Sequence, residues 1–175
     1  MFTTLYRKNI QKLIFVALIL FPSLLMSQKC SYEKNEVDAI TEFQVKITRP
    51  ELLCRINGQP VYIKTQCIGP HKYLKLQYYK YSNYVIQEDR EIALVTESGE
   101  EIILFPRTMP GDSTKMDTFD TGLALLIFKL SDNQYQALKS SPLIKFRYYL
   151  VSGWVEEEIK GSKQTKLIEA LTCIE

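Results

Sequence analysis

The chain of 175 residues has one histidine, one tryptophan, seven glycines and seven prolines, and after Met26 no apolar run long enough to cross a membrane. With a single imidazole, every mechanism that uses one as base or ligand must pass through His71. That residue stands in the turn Gly69-Pro70-His71-Lys72 with no serine or cysteine nucleophile and ordering carboxylate beside it, so it reads as a solvated turn histidine. A GxSxG elbow, a HExxH helix, a P-loop and a GxGxxG fingerprint are all missing. The cysteines are separated by 24, 13 and 106 residues, contain no CxxC knuckle, and make zinc a poor reading. The sequence therefore names no catalytic, cofactor-binding or metal-ligating residue. It also lacks internal repeats and any Pro-, Gly- or Ser-rich linker that would divide the chain.

Long runs of one charge are missing as well. The opening segment has three cations, Arg7, Lys8 and Lys12, then an uncharged apolar run from Leu13 to Met26, then Ser27 and Gln28. This is the grammar of a secretory signal, and residues 1–27 are expected to be removed. The run covers 14 residues and includes Pro22, too short for a span of about 20 residues. Lys29 before Cys30 disfavours a lipidated cysteine. Without the signal, 19 lysines and arginines face 20 acids. So balanced a chain carries no electrostatic case for nucleic acid or anionic membrane surfaces. The expected address is periplasmic or secreted, in residues 28–175 as one exported domain without stable membrane insertion.

Cys30, Cys54, Cys67 and Cys173 all lie beyond the signal, where an even count favours disulfides. If Asn57-Gly58 makes a two-residue hairpin turn, Cys54 faces Val61 and Cys67 faces Thr48. The two sulfurs are then about 20 Å apart, beyond the roughly 7 Å Cα limit of a bridge. Cys30 and Cys173 stand near the two ends of the exported chain, ends that often meet at a domain surface. Their pairing is the expectation.

The interior pattern is mostly of period two. Phe43, Val45 and Ile47 alternate with polar residues up to Arg49-Pro50. Leu52 to Ile56 and Val61 to Ile68 flank Asn57-Gly58 as a hairpin, and Tyr73 to Tyr81 forms a further strand. Ile92 to Thr96 and Ile102 to Phe105 flank Ser98-Gly99, while Gly122 to Leu130 reads as a central strand. Met109 to Asp120 reads as a long loop. Ser131 opens a short helix with Gln134 closing a capping box. Leu143 to Leu150 and Trp154 to Ile159 make a third hairpin. A final helix carries Leu167, Ile168, Leu171 and Ile174 as one apolar stripe and should set Cys173 against the body. The expected fold is mainly β (α+β): an antiparallel sandwich or open barrel with a C-terminal helix packed on the sheet.

The stretches Lys29 to Asp38 (KCSYEKNEVD), Leu138 to Arg147 and Lys166 to Glu175 (KLIEALTCIE) resemble a group of small secreted, β-rich proteins of gram-negative bacteria whose function is unknown. In that group a KCxYxKNEVD motif and an ALxCI motif bracket a mostly β domain. The resemblance implies an exported bacterial domain and brings no activity with it.

Two kinds of side chain remain as candidates. Carboxylates at Glu88, Asp89, Glu100, Glu101, Asp112, Asp117, Asp120 and Glu156 to Glu158 could in principle pair for glycosidic chemistry, but neighbours on a strand point to opposite faces. Asp112, Asp117 and Asp120 could share a calcium ion, though not with EF-hand spacing. The tyrosines are more suggestive. Tyr73, Tyr79 and Tyr81 alternate with Lys75 and Gln77 on one face of a strand, amphipathic rings beside polar groups that suit a sugar or protein surface. Tyr149, Lys145 and Arg147 form a second set of this kind. The functional expectation is an exported binding or interaction module of the cell envelope with no catalytic role, its partner an envelope protein or glycan. An inhibitor of a foreign hydrolase such as lysozyme and a carboxylate-dependent glycan hydrolase are the alternatives.

Overall fold

The computed structural model describes residues 30–79, 90–107, 123–150 and 153–175. The signal segment, Tyr81, Glu88, Asp89 and the 109–120 loop lie outside them. The strands run β1 Tyr32–Val37, β2 Gln44–Thr48, β3 Glu51–Ile56, β4 Gln59–Ile68, β5 His71–Tyr79, β6 Ile92–Thr96, β7 Glu101–Leu104, β8 Leu123–Leu130, β9 Leu143–Leu150 and β10 Gly153–Glu158. Helix α1 is Asp132–Ser140 and α2 is Lys166–Cys173, with a 3-10 turn at Gly161–Lys163 before it.

Two antiparallel sheets result. The larger has the order β1-β2-β4-β5-β8 with β3 also on β4; the smaller has the order β10-β9-β6-β7. One edge of β4 is shared by two strands, β3 along its first half and β2 along its second. Pro50, which has no N–H to donate, stands at the switch between them. Asn57 and Gly58 both take positive φ, 49° and 81°, the backbone that a type I′ hairpin turn requires. Cys54 then faces Val61 as the turn dictates. Cys67, however, faces Lys46 and not Thr48. A bulge between Leu52 and Cys54 and the switch at Pro50 each slip the register by one. The combined slip of two returns β2 to its expected face, while at the bulge Leu53 joins Cys54 in the core. Cys54 and Cys67 remain far apart along β4 as two buried free thiols.

Cys30 bonds Cys173 with a Cα–Cα distance of 5.5 Å, closing 143 residues of chain. The bond is one of several fixings of the end of α2, whose last carbonyls lack helical partners. Thr65 Oγ1 donates to the Ala170 carbonyl at 2.7 Å, Tyr135 Oη to Leu171 at 3.0 Å, Tyr32 Oη to Cys173 at 2.7 Å and Lys72 Nζ to Ile174 at 2.7 Å. The lysine also sets a cation at the negative end of the helix dipole. Ser131 and Gln134 form the expected capping box at the start of α1.

The core lies between the sheets. Ile63, Leu74, Leu76, Tyr78 and Phe128 come from the larger, and Ile92, Leu94, Phe146 and Tyr148 from the smaller, with Leu138, Leu167 and Leu171 added by the helices. Each such side chain withdrawn from water is worth about 1.5–3 kcal/mol. Strand β8 is not central: among the described residues it is the last strand of its sheet, and its edge is met by the chain after β7, where the Arg107 N–H donates to Ile127 O at 2.7 Å. Its apolar run is explained by Ala124, Leu126, Phe128 and Leu130 entering the core while Ile127 is buried on the other face. Strand β1 was not evident from the pattern. Its sequence YEKNEV buries almost nothing and reads as polar coil, yet it pairs with β2 and is tied to the body through Tyr32.

Candidate binding surface on the smaller sheet

Antiparallel register decides which residues share the outward face of β10-β9-β6-β7. Phe146 and Tyr148 point inward and stack at 4.9 Å, so Lys145, Arg147 and Tyr149 point out. Across the strands Trp154 stands opposite Tyr149, Glu156 opposite Arg147, and Arg147 opposite Ala93, which in turn faces Ile103. Ala93 is the small residue in this row, and above it the surface dips. The depression measures about 200 Å³ and is bordered by Glu91, Glu101, Ile103, Arg147, Tyr149 and Trp154.

Its charges are held in a network. Arg147 donates from Nε to Glu156 at 2.5 Å and from Nη1 to Glu101 at 2.8 Å, and Lys145 Nζ reaches the other Glu156 oxygen at 2.6 Å. These bonds, from Lys145 first and then Arg147, hold the Glu156 carboxyl below its ordinary range; Glu156 and Glu101 in turn raise the already high Arg147 value. The rings are flanked by guanidinium groups, Arg147 5.6 Å from the centre of Trp154 and Arg90 4.3 Å from that of Tyr149. Even so, Trp154 leaves 59% of its surface to water, and Ile103, which borders the same depression from β7, is also exposed.

The tyrosines of β5 fare differently. Tyr73, Lys75 and Tyr79 do share the outer face of the larger sheet, but Tyr73 is only 7% exposed, Lys75 is half-buried and Tyr79 alone is open. Their neighbours explain it: Tyr73 lies in an inner strand between Gln66 of β4 and Lys129 of β8. Val45 and Ile127 are buried on the same side, away from the main core, and the Lys64–Glu33 ion pair spans from β4 to β1.

Of the carboxylates, the structure brings Glu101 and Glu156 together, but around one guanidinium. Glu156 is thereby kept ionised and has no proton to give as a general acid. Glu157 points to the opposite face, and burial raises its carboxyl above the ordinary value. It lines a separate cavity of about 430 Å³ between β3 and β10, together with Cys54, Arg55 and Lys163. Burial pushes the Cys54 thiol up to about 12, so it is no nucleophile at neutral pH. His71 is exposed at the start of β5. Among the described residues no three His, Cys, Asp or Glu side chains gather as a metal would need.

Trp154, Ile103, Arg90 and Glu91 are the members of the surface that sequence reasoning missed. The signal available was the lone tryptophan placed on a strand beside Gly153 and three glutamates, where an apolar core position is out of keeping with its neighbours. No family model, curated protein or solved structure matches the chain.

Proposed function

We propose that the protein is an exported binding module of the cell envelope and that the outer face of the smaller sheet is its recognition surface. The observation that carries this reading is Trp154, the single tryptophan, left open to water opposite Tyr149 beside a fixed ion-pair network. Large exposed aromatic groups cost solvation and mark interaction sites when they gather with polar groups. Export is supported by the signal-like opening segment and by the Cys30–Cys173 bond, a linkage that persists in oxidising compartments. No helix among the described residues is long and apolar enough to cross a membrane.

Immobilised protein lacking residues 1–27 should retain a component of solubilised envelope fractions. The double variant Trp154→Ala with Tyr149→Ala should lose it, while Tyr79→Ala should not. Equal loss with Tyr79→Ala, or retention by the double variant, would move the site elsewhere. Fractionation of cells should place the protein outside the cytosol with its amino terminus near Gln28; intact protein with four reduced cysteines in the cytosol would end the export reading.

A further inference from the structure

Resting on that reading of the surface, we infer that the depression over Ala93 takes an uncharged sugar ring of a glycan, stacked on the open part of Trp154 and hydrogen-bonded to the carboxylates and guanidinium at the rim. Three features of the site lead there. The cations at the depression already have partners: Arg147 is 2.8 Å from Glu101 and Arg90 is 3.6 Å from Glu91. A uronate or an ammonium sugar would find no unmatched countercharge. A hydroxyl is both donor and acceptor, so a neutral sugar ring can meet carboxylate oxygens and guanidinium N–H groups alike.

The centre of the face also argues against a protein partner. Protein interfaces place apolar and aromatic groups at the middle, deplete glutamate and lysine there and leave charge to the rim. Here the order is inverted. Glu156, Arg147 and Glu101 cross the middle of the sheet, with Lys145 at their side, and the apolar groups Trp154 and Ile103 flank them. A planar ring beside fixed polar groups, over a hollow floored by alanine, is suited to the mixed apolar and hydroxylated faces of a sugar. Rigidity helps, because Arg147 is bonded to two acids and lies against the indole, so little ordering is left for binding.

Trp154 is the only tryptophan and reports on its own environment. Intrinsic fluorescence of the protein lacking residues 1–27 should be followed during titration with neutral oligomers of glucose, galactose, mannose and N-acetylglucosamine, and with galacturonate and glucosamine oligomers as charged controls. At least one neutral oligomer should change the emission saturably, with the charged oligomers about tenfold weaker or silent. Tyr149→Ala should weaken binding about tenfold, equivalent to about 1.4 kcal/mol, and Tyr149→Phe should retain it; far-ultraviolet circular dichroism confirms that both variants are folded. Silence with every neutral oligomer, or equal response to charged ones, overturns the inference. If the sugars are silent while Trp154→Ala still abolishes capture of an envelope protein, the surface stands and its ligand is not a glycan. If Trp154→Ala leaves envelope capture unchanged, the surface reading itself has failed.

Discussion

The outer faces of the two sheets carry similar residues and end in different states. Each sets tyrosine beside lysine or arginine on the outer face of one strand: Tyr73, Lys75 and Tyr79 on β5, and Lys145, Arg147 and Tyr149 on β9. On the larger sheet the ring of Tyr73 is 7% exposed; on the smaller, the ring of Trp154 is 59% exposed. The difference is one of position in the sheet. Tyr73 has a strand on either side, with Gln66 of β4 and Lys129 of β8 as its cross-strand neighbours. Trp154 lies on β10, an edge strand of its sheet among the described residues, with a single cross-strand partner in Tyr149 and the alanine-floored hollow beyond. Alternation assigns a residue to a face. How many strands flank it decides whether that face meets water.

The largest expected effect tests whether the two sheets are separately secured. The disulfide joins β1's approach and α2, which Thr65 of β4 also ties to the larger sheet. Replacing Cys30 and Cys173 by serine should cost about 4 kcal/mol, as expected for a closed loop of more than 100 residues. Denaturant unfolding measures the cost. Amide exchange in the variant should quicken first in β1 and α2 and leave β9 and β10 as in the parent. Equal quickening in both sheets would mean that the disulfide secures the sandwich as a whole.

The next effect addresses the rings directly. Tyr73→Ala removes a buried aromatic side chain and should lower stability by about 3 kcal/mol, while Trp154→Ala should stay within about 1 kcal/mol of the parent. Thermal or urea unfolding of the two variants decides it. The functional ranking should be reversed, with Trp154→Ala the variant that loses binding. Were the two stability costs alike, the contrast between a packed and an open aromatic face would collapse.

Much of this architecture could be read in the residues. The Asn57-Gly58 turn, the Ser131 capping box, the apolar stripe of α2 and the Cys30–Cys173 bond follow from local geometry or from the meeting of chain ends, and these are near-neighbour or topological rules. What escaped depends on partners distant in sequence. Strand β1 has almost no apolar side, so only its pairing with β2 makes it a strand. The edge position of β8 depends on sheet order, which its apolar run cannot specify. The candidate surface was half legible: Tyr149, Lys145 and Arg147 were on one face by alternation, but Trp154, Ile103 and Glu101 join them only through the register of four strands.

A smaller effect is expected from the ion network. Arg147→Met keeps an unbranched apolar stem against Trp154 and removes the donors to Glu101 and Glu156. Because these ion pairs are open to solvent on one side and screened by it, stability should change little. Binding at the surface should weaken more than stability does. A variant that binds as well as the parent would reduce Arg147 to a surface cation and leave the rings as the whole of the site.

The smallest effect concerns two adjacent carboxyls that face opposite sides of β10. Glu156 on the outer face is lowered by its bonds from Lys145 and Arg147, whereas Glu157 on the inner side is raised by burial. Their contributions to stability therefore run in opposite directions with pH. That of Glu156 is complete above the ordinary value of 4.5 and is lost as pH falls through its lower folded value. For Glu157 the cost of keeping a charge in a partly buried place holds at neutral pH and is relieved as pH falls through its raised value toward 4.5. Carboxyl titration by nuclear magnetic resonance should give Glu156 a midpoint below 4.5 and Glu157 one above it. Glu157→Gln should raise stability slightly at pH 7 and change it little at pH 4, while Glu156→Gln should lower it at pH 7. Identical midpoints would mean that the two faces of β10 are equally wet, and with that the assignment of one side to the core and the other to a ligand would lose its electrostatic basis.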